Sequence, residues 1–267
     1  MILSDRYRFV FIHLPKCAGT SVRAAVSPYH DADSRFLKGV ERHPDLGEID
    51  FRHLPLALLR DIDPEAFEKL KIYDSFALIR DPFQRFRSAL AQRTKMYLGK
   101  EFAQLEQAEI RAEIDRVVDY LQSEPRVIAP EFIHFSRQSD YVGIDGVQLV
   151  RHLYPIERLD LLGEALGRHI GTDGLQIGHA NETKVFRHPR LKNLLRSGSA
   201  AARRVLPSAV HEALRVNARR KLMKPTSAAP LPAFDEPAVQ AFISSYYAAD
   251  IALYRDVSQR VAAPANA

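Results

Sequence analysis

The chain has 267 residues, 46% of them hydrophobic, with one cysteine and a formal net charge of +5. That length supports one large α/β domain or two small ones with a real core. One cysteine excludes an internal disulfide framework, and no stretch reaches the roughly 18–20 apolar residues of a membrane-spanning helix.

Met1 to Arg8 hold no apolar leader and run directly into a strand-like stretch, so a soluble, cytoplasmic protein is expected. Residues 7–13 are apolar and β-prone with weak alternation, the pattern of a strand covered on both faces. After the short loop Leu14 to Thr20, the stretch Ser21 to Val26 opens a helix. Residues 31–52 are polar, carry Pro44 and Gly47, and read as a long loop. Asp63-Pro64-Glu65 is a helix start, with Asp at the N-cap and Pro at the first helical position, and this helix is expected to end near Lys71. Residues 72–79 form a second strand, broken by Arg80-Asp81-Pro82, and a helix is expected from about 83 to 97. A charged stretch from 101 to 122 has helical spacing, and Asp145-Gly146 marks a hairpin turn within 141–150. Helices are expected over 155–169, 208–223 and 235–255, and a frayed tail over 261–267. Two strand–loop–helix units with helices between them predict an α/β layered fold in which helix outweighs strand.

In such a fold, a loop that leaves the C-terminal end of a strand and opens a helix is where ligands bind. Its backbone N–H groups are unpaired and the helix dipole adds partial positive charge, so the place favours phosphate or sulfate. Pro15 to Ser21 form such a loop: Lys16 supplies a point charge, Gly19 allows close backbone approach, and Thr20 and Ser21 supply hydroxyl donors. A nucleoside-triphosphate loop needs Gly, four residues, then Gly-Lys-Ser/Thr. Here Lys16 precedes Gly19 and no earlier glycine stands in the loop, so a kinase or NTPase fits the pattern poorly. At the end of the second strand Arg80 can fork two N–H groups onto a phosphate, and Ser88 lies about two turns along the following helix. Alone, Arg80-Asp81 also reads as a local ion pair with Ser88 on the surface.

Charge is unevenly spread. From Lys184 to Lys224 twelve Lys/Arg accompany one acidic residue, Glu212, so this segment carries +11 and the rest of the chain −6. Such a split suggests an anionic partner or a solvated basic helix face. The segment holds one aromatic residue, Phe186, which argues against single-stranded nucleic acid stacking there.

The run Phe11 to Ser21, with its Pro-Lys-Cys-Ala-Gly-Thr-Ser core, closely resembles the 5′-phosphosulfate loop of the sulfotransferases that use 3′-phosphoadenosine 5′-phosphosulfate (PAPS), in particular their carbohydrate-type branch. The run Ala77 to Ser88 resembles the family's 3′-phosphate motif, in the family's order and at about its spacing. Weaker similarities reach Gln138 to Tyr141, Glu157, Asn181 and Tyr246 to Tyr254. One departure is Cys17, where the family often has Thr; it reads as a small packed side chain without a catalytic role. The resemblance implies a P-loop-like three-layer fold with a central, mainly parallel sheet flanked by helices, a helix-rich C-terminal part and a single domain over 1–260. It implies PAPS as sulfuryl donor, with Pro15, Lys16, Cys17, Ala18, Gly19, Thr20, Ser21, Arg80 and Ser88 in its site and no metal. The acceptor is a hydroxyl, on a carbohydrate by analogy, and an anionic glycan if the segment 184–224 lines its cleft. The family points to a histidine base between the two motifs, for which His53 is the best match. An unperturbed imidazole, titrating near 6.5, suits that task. His43, Glu48 and Asp50 are further candidates for the base, and His13 is expected to pack or orient the loop. A polyanion-binding module without catalysis is the reading of a different class: its affinity would fall steeply with salt and ignore a 3′-phosphate.

Overall fold

The computed structural model describes residues 1–178, 184–186, 223–225 and 232–262. Residues 1–178 and 231–267 form one compact unit and residues 179–230 a second. In the second unit Lys184–Phe186 pairs antiparallel with Met223–Pro225. The rest of the basic segment, with the helix expected over 208–223 and Asn181, lies outside the described residues, as do 263–267 of the expected tail.

The first unit is mixed α/β around a four-stranded sheet. Its strands are β1 (Ile2–Ser4), β2 (Phe9–Ile12), β5 (Asp74–Ile79) and β8 (His152–Pro155), in the order β1-β2-β5-β8. β2, β5 and β8 are parallel and β1 pairs antiparallel at the edge, so the sheet is mostly parallel. Every residue of β2 is buried, as expected for a strand covered on both faces.

Each parallel strand feeds a helix. β2 leads to α1 (Gly19–Val26), β5 to α4 (Pro82–Arg93), and β8 to α7 (Leu159–Ile170). Asp81 caps α4 by accepting from Gln84 N at 2.9 Å, and Pro82 sets the first turn. This cap, rather than an ion pair with Arg80, is the work of the Asp81 carboxylate. Asp63 does the same for α3 (Pro64–Ile72), accepting from Ala66 N at 2.9 Å. The expected hairpin is present as β6 (Gly143–Ile144) and β7 (Val147–Gln148), with Asp145 and Gly146 both at positive φ.

Several expectations need correcting. Residues 31–52 are not one loop: they hold a hairpin, β3 (Val40–His43) and β4 (Gly47–Asp50), turned at Gly47 with φ 77°. β3 is exposed or half-exposed throughout, so no apolar pattern marks it. A short helix, α2 (Leu56–Ile62), follows Pro55, and β8 occupies the start of the helix expected from 155. The helix expected to 97 ends at Arg93 and passes into a wide π turn, Thr94–Leu98, stopped by Gly99 at φ 67°. The charged stretch from 101 becomes helical only in α5 (Gln107–Gln122), where Ile110, Ile114, Val117 and Leu121 form the buried stripe. The C-terminal helical region is α9 (Pro237–Tyr246) and α10 (Ala248–Ala262), preceded by the single turn α8 (Pro232–Asp235), and α10 reaches two residues into the expected tail.

A buried polar joint connects α10 to the sheet ends. Asp250 is fully buried and accepts from the backbone N of Gln138 at 2.7 Å and of Ser139 at 2.9 Å, with Arg85 Nη2 at 3.7 Å. Arg85 is itself buried and donates to the carbonyls of His134 and Ser136 at 3.1 and 2.6 Å. Asp250→Ala leaves two amides without their acceptor and the buried Arg85 guanidinium without its counter-charge, so a loss of about 3–5 kcal/mol is expected, read as a lowered urea midpoint at unchanged slope. No helix among the described residues is long and apolar enough to cross a membrane.

Candidate functional site

The C-terminal ends of β2 and β5 are neighbours because the strands pair in parallel, with Ile12 opposite Ala77. Their two loops therefore meet. In the first loop Lys16 and Ala18 stand at φ 64° and 54°, left-handed values that cost energy for residues with a Cβ. Left-handed residues flanking an ordinary one at 17 give the kind of backbone that gathers N–H groups into an anion-binding concavity. Ala18 is the N-cap of α1 and offers no side-chain cap, and Ser21 N folds back to Ala18 O at 3.0 Å. α1 thus begins at Gly19, two residues earlier than the sequence indicates. The structure adds a further need for glycine there: a Cβ at Gly19 would collide with the His13 imidazole.

Lys16 is half-buried, and burial with the nearby Arg80 charge brings its pKa down to about 8. Arg80 Nη1 lies 3.4 Å from the Lys16 carbonyl, so the two motifs touch. Arg80 Nε is buried without a hydrogen-bond partner among the described residues. Neither cation has an ion-pair partner among those residues. Thr20 is exposed and Ser21 and Pro15 are buried, while Ser88 is half-buried on the second turn of α4.

One side chain missed as a site residue holds the two loops in register. Gln138 is buried; its Oε1 accepts from Arg80 N at 2.9 Å and lies 3.2 Å from Cys17 Sγ, and its Nε2 donates to Arg80 O at 2.8 Å. Through its own backbone N it rests on Asp250. Cys17 is buried, and desolvation raises its thiol to about 12, so it serves as a neutral packed donor.

His53 reaches the end of β2 from the segment between β4 and α2. Its Nδ1 lies 2.9 Å from the His13 carbonyl, and its ring packs on those of His13 and His134, with centroids 4.4 and 5.9 Å apart. A carbonyl only accepts, so Nδ1 carries the proton and Nε2 keeps its lone pair. His53 is 7% exposed rather than an open loop residue. Burial lowers its pKa to about 4, with the Asp50 charge opposing, and lowers His134 to about 3. His13 is lowered too, by burial first and then by His53. The other candidates for a base stand apart or are engaged: His43 lies at the β3–β4 turn accepting from Asp45 N at 3.3 Å, Glu48 is exposed, and Asp50 is paired with Arg52 at 3.2 Å. Among the described residues no cluster of three or more His, Cys, Asp or Glu has metal-holding geometry.

The profile of the sulfotransferase family matches residues 1–222. Carbohydrate sulfotransferase 14 of Mus musculus is 28% identical over 142 residues, which are 52% of this chain and 35% of that protein. The chain thus aligns to about a third of the length of that curated relative. No solved structure matches.

Proposed function

Because this chain belongs to the sulfotransferase family, we propose that it transfers a sulfuryl group from PAPS to an acceptor hydroxyl, on a carbohydrate by similarity to the mouse relative. The observation that carries this reading is the meeting of Lys16 and Arg80, two cations without an ion-pair partner among the described residues, at adjacent parallel strand ends. A buried guanidinium nitrogen left without an acceptor is costly, and a bound phosphate would satisfy it. The residues present therefore fit a nucleotide with phosphates at two positions. The strand–loop–helix arrangement of β2 and α1 supports a P-loop-like reading of the fold.

When bound, PAPS supplies a sulfuryl group already activated as a phosphosulfate anhydride. The backbone amides at the start of α1 and the Lys16 ammonium would hold its 5′-phosphosulfate and stabilise the negative charge that grows on the leaving phosphate. Arg80 binds the 3′-phosphate as a planar fork, with Ser88 as a further donor. His53 Nε2 takes the acceptor proton as the oxygen attacks in line with the leaving group. His13 holds that imidazole through its carbonyl and, through the ring packed on Gly19, ties it to the loop.

Calorimetric titration with 3′-phosphoadenosine 5′-phosphate (PAP), the desulfated product, is expected to show strong preference over ADP. Arg80→Ala is expected to weaken PAP by about 1.5–3 kcal/mol, the range for hydrogen bonds to charged groups, and to leave ADP nearly unchanged. Equal binding of PAP and ADP by the unaltered protein overturns the reading in favour of general nucleotide or polyanion binding.

A further inference from the structure

His53 also lines a cleft of about 290 Å³ that neither Lys16 nor Arg80 borders. Four carboxylates line it, from Asp50, Asp61, Asp140 and Asp145, against one guanidinium, Arg126. Two of these acids have close partners: Asp50 lies 3.2 Å from Arg52 Nε, and Asp61 lies 3.5 Å from both Arg126 Nη2 and Arg60 Nε. Asp140 and Asp145 have no ion-pair partner among the described residues. Asp140 is half-buried, and burial, with the charge of buried Asp250, raises its carboxyl to about 6 against the opposing charges of Arg137 and Arg85. The rest of the wall is largely apolar, with Leu58, Ile128 and Ile133 prominent.

A second feature points independently to a ligand. His53 is more than nine-tenths buried and its Nδ1 is held by His13, yet its Nε2 has no hydrogen-bond partner among the described residues. His53 thus lines the cleft while its ring is anchored to the strand end through the His13 carbonyl.

We propose that this cleft is the acceptor site and that it selects an alcohol whose other groups are uncharged or cationic, such as an amino sugar, over a carboxylated or sulfated glycan. The inference rests on the sulfotransferase reading and on His53 as base, and it runs against the anionic acceptor suggested by the composition of 184–224. Like charges facing each other across a binding site cost enough to exclude a partner, whereas an ammonium group answers the unpaired Asp140 and Asp145, and the apolar wall accepts the face of a sugar ring or an aryl group.

The test uses the full chain saturated with PAP and three probes sharing one aglycone: the p-nitrophenyl β-glycosides of glucosamine, glucose and glucuronic acid. Calorimetry is expected to rank them in that order, with the glucuronide weaker than the glucosaminide by on the order of 10²-fold. In the variant Asp61→Lys/Asp145→Lys the order is expected to reverse. Asp145 is exposed and the Asp61 side chain is 39% exposed, so the fold is expected to persist, which an unchanged urea midpoint verifies. Ala57→Trp, at the exposed edge of the cleft, is expected to abolish binding of all three probes while PAP still binds. Preference for the glucuronide, an order unchanged in the double variant, or no binding of any probe to the PAP-saturated protein each overturns the acceptor assignment. Failure of PAP itself to bind overturns instead the sulfotransferase reading beneath it.

Discussion

Lys16→Ala is expected to lower kcat by about 10²–10³, the usual cost of removing one group that stabilises charge developing in the transition state. The fold is expected to survive, because Lys16 is half-buried and makes no ion pair among the described residues. PAP affinity is expected to fall much less than kcat, since the ammonium acts on charge that grows during transfer. Near-normal turnover removes Lys16 from the mechanism. The lysine also predicts an alkaline limit. Burial and Arg80 bring its pKa to about 8, so its charge is present below that pH and lost above it. For the free enzyme, kcat/KM is expected to decline as pH rises through about 8. The charge of the bound anion favours the ammonium form, so the corresponding limb in kcat is expected at higher pH.

His53→Ala is expected to reduce kcat/KM by about 10²–10⁴, the contribution typical of a general base, with PAP binding retained. His53→Gln is the companion variant: its amide can still donate to the His13 carbonyl, so it preserves the packing but not the basic nitrogen. Equal, large losses in both variants identify proton transfer as the missing function, whereas recovery in His53→Gln assigns the residue a positioning role. The pH profile separates the cases further. An imidazole near its ordinary 6.5 gives an acid limb there, but burial places His53 at about 4. The activity is therefore expected to be flat from pH 7 to 5. The folded-state pKa lies below the unfolded value, so stability from keeping His53 neutral is present above about 6.5 and is lost as pH falls toward 4. His134, at about 3, acts in the same direction, so rates are to be read at pH 5 and above.

The inward-facing side of this mechanism depends on contacts that no local pattern announces. Gln138 reaches Cys17 across 121 positions and Arg80 across 58, and Asp250 reaches Gln138 across 112. Weak family similarity marks the stretches around this glutamine and this aspartate, but nothing in the sequence says what either side chain touches. They become meaningful only when β2 and β5 lie side by side and α10 closes beneath them. β8 escaped notice for a related reason: four residues containing His152 and Pro155 resemble a helix approach until β5 is there to pair with them. The β3–β4 hairpin is exposed, so burial wrote no alternation into it.

What the sequence by itself determined are the two strand–loop–helix segments, Pro15 to Ser21 and Arg80 to Ser88, with the family to which the chain belongs and His53 as the residue to examine between them. These were legible because strand, turn and helix start are neighbours along the chain, and because proline, glycine and cap residues carry their backbone preferences wherever they stand. Only the tertiary structure decided that Arg80 lies against the Lys16 carbonyl, that Gly19 makes room for a histidine ring, and that His53 is buried and lines a cleft. Pairing, desolvation and the summed field of distant charges are properties of residues brought together by folding, and each depends on distances in space that sequence separation does not encode.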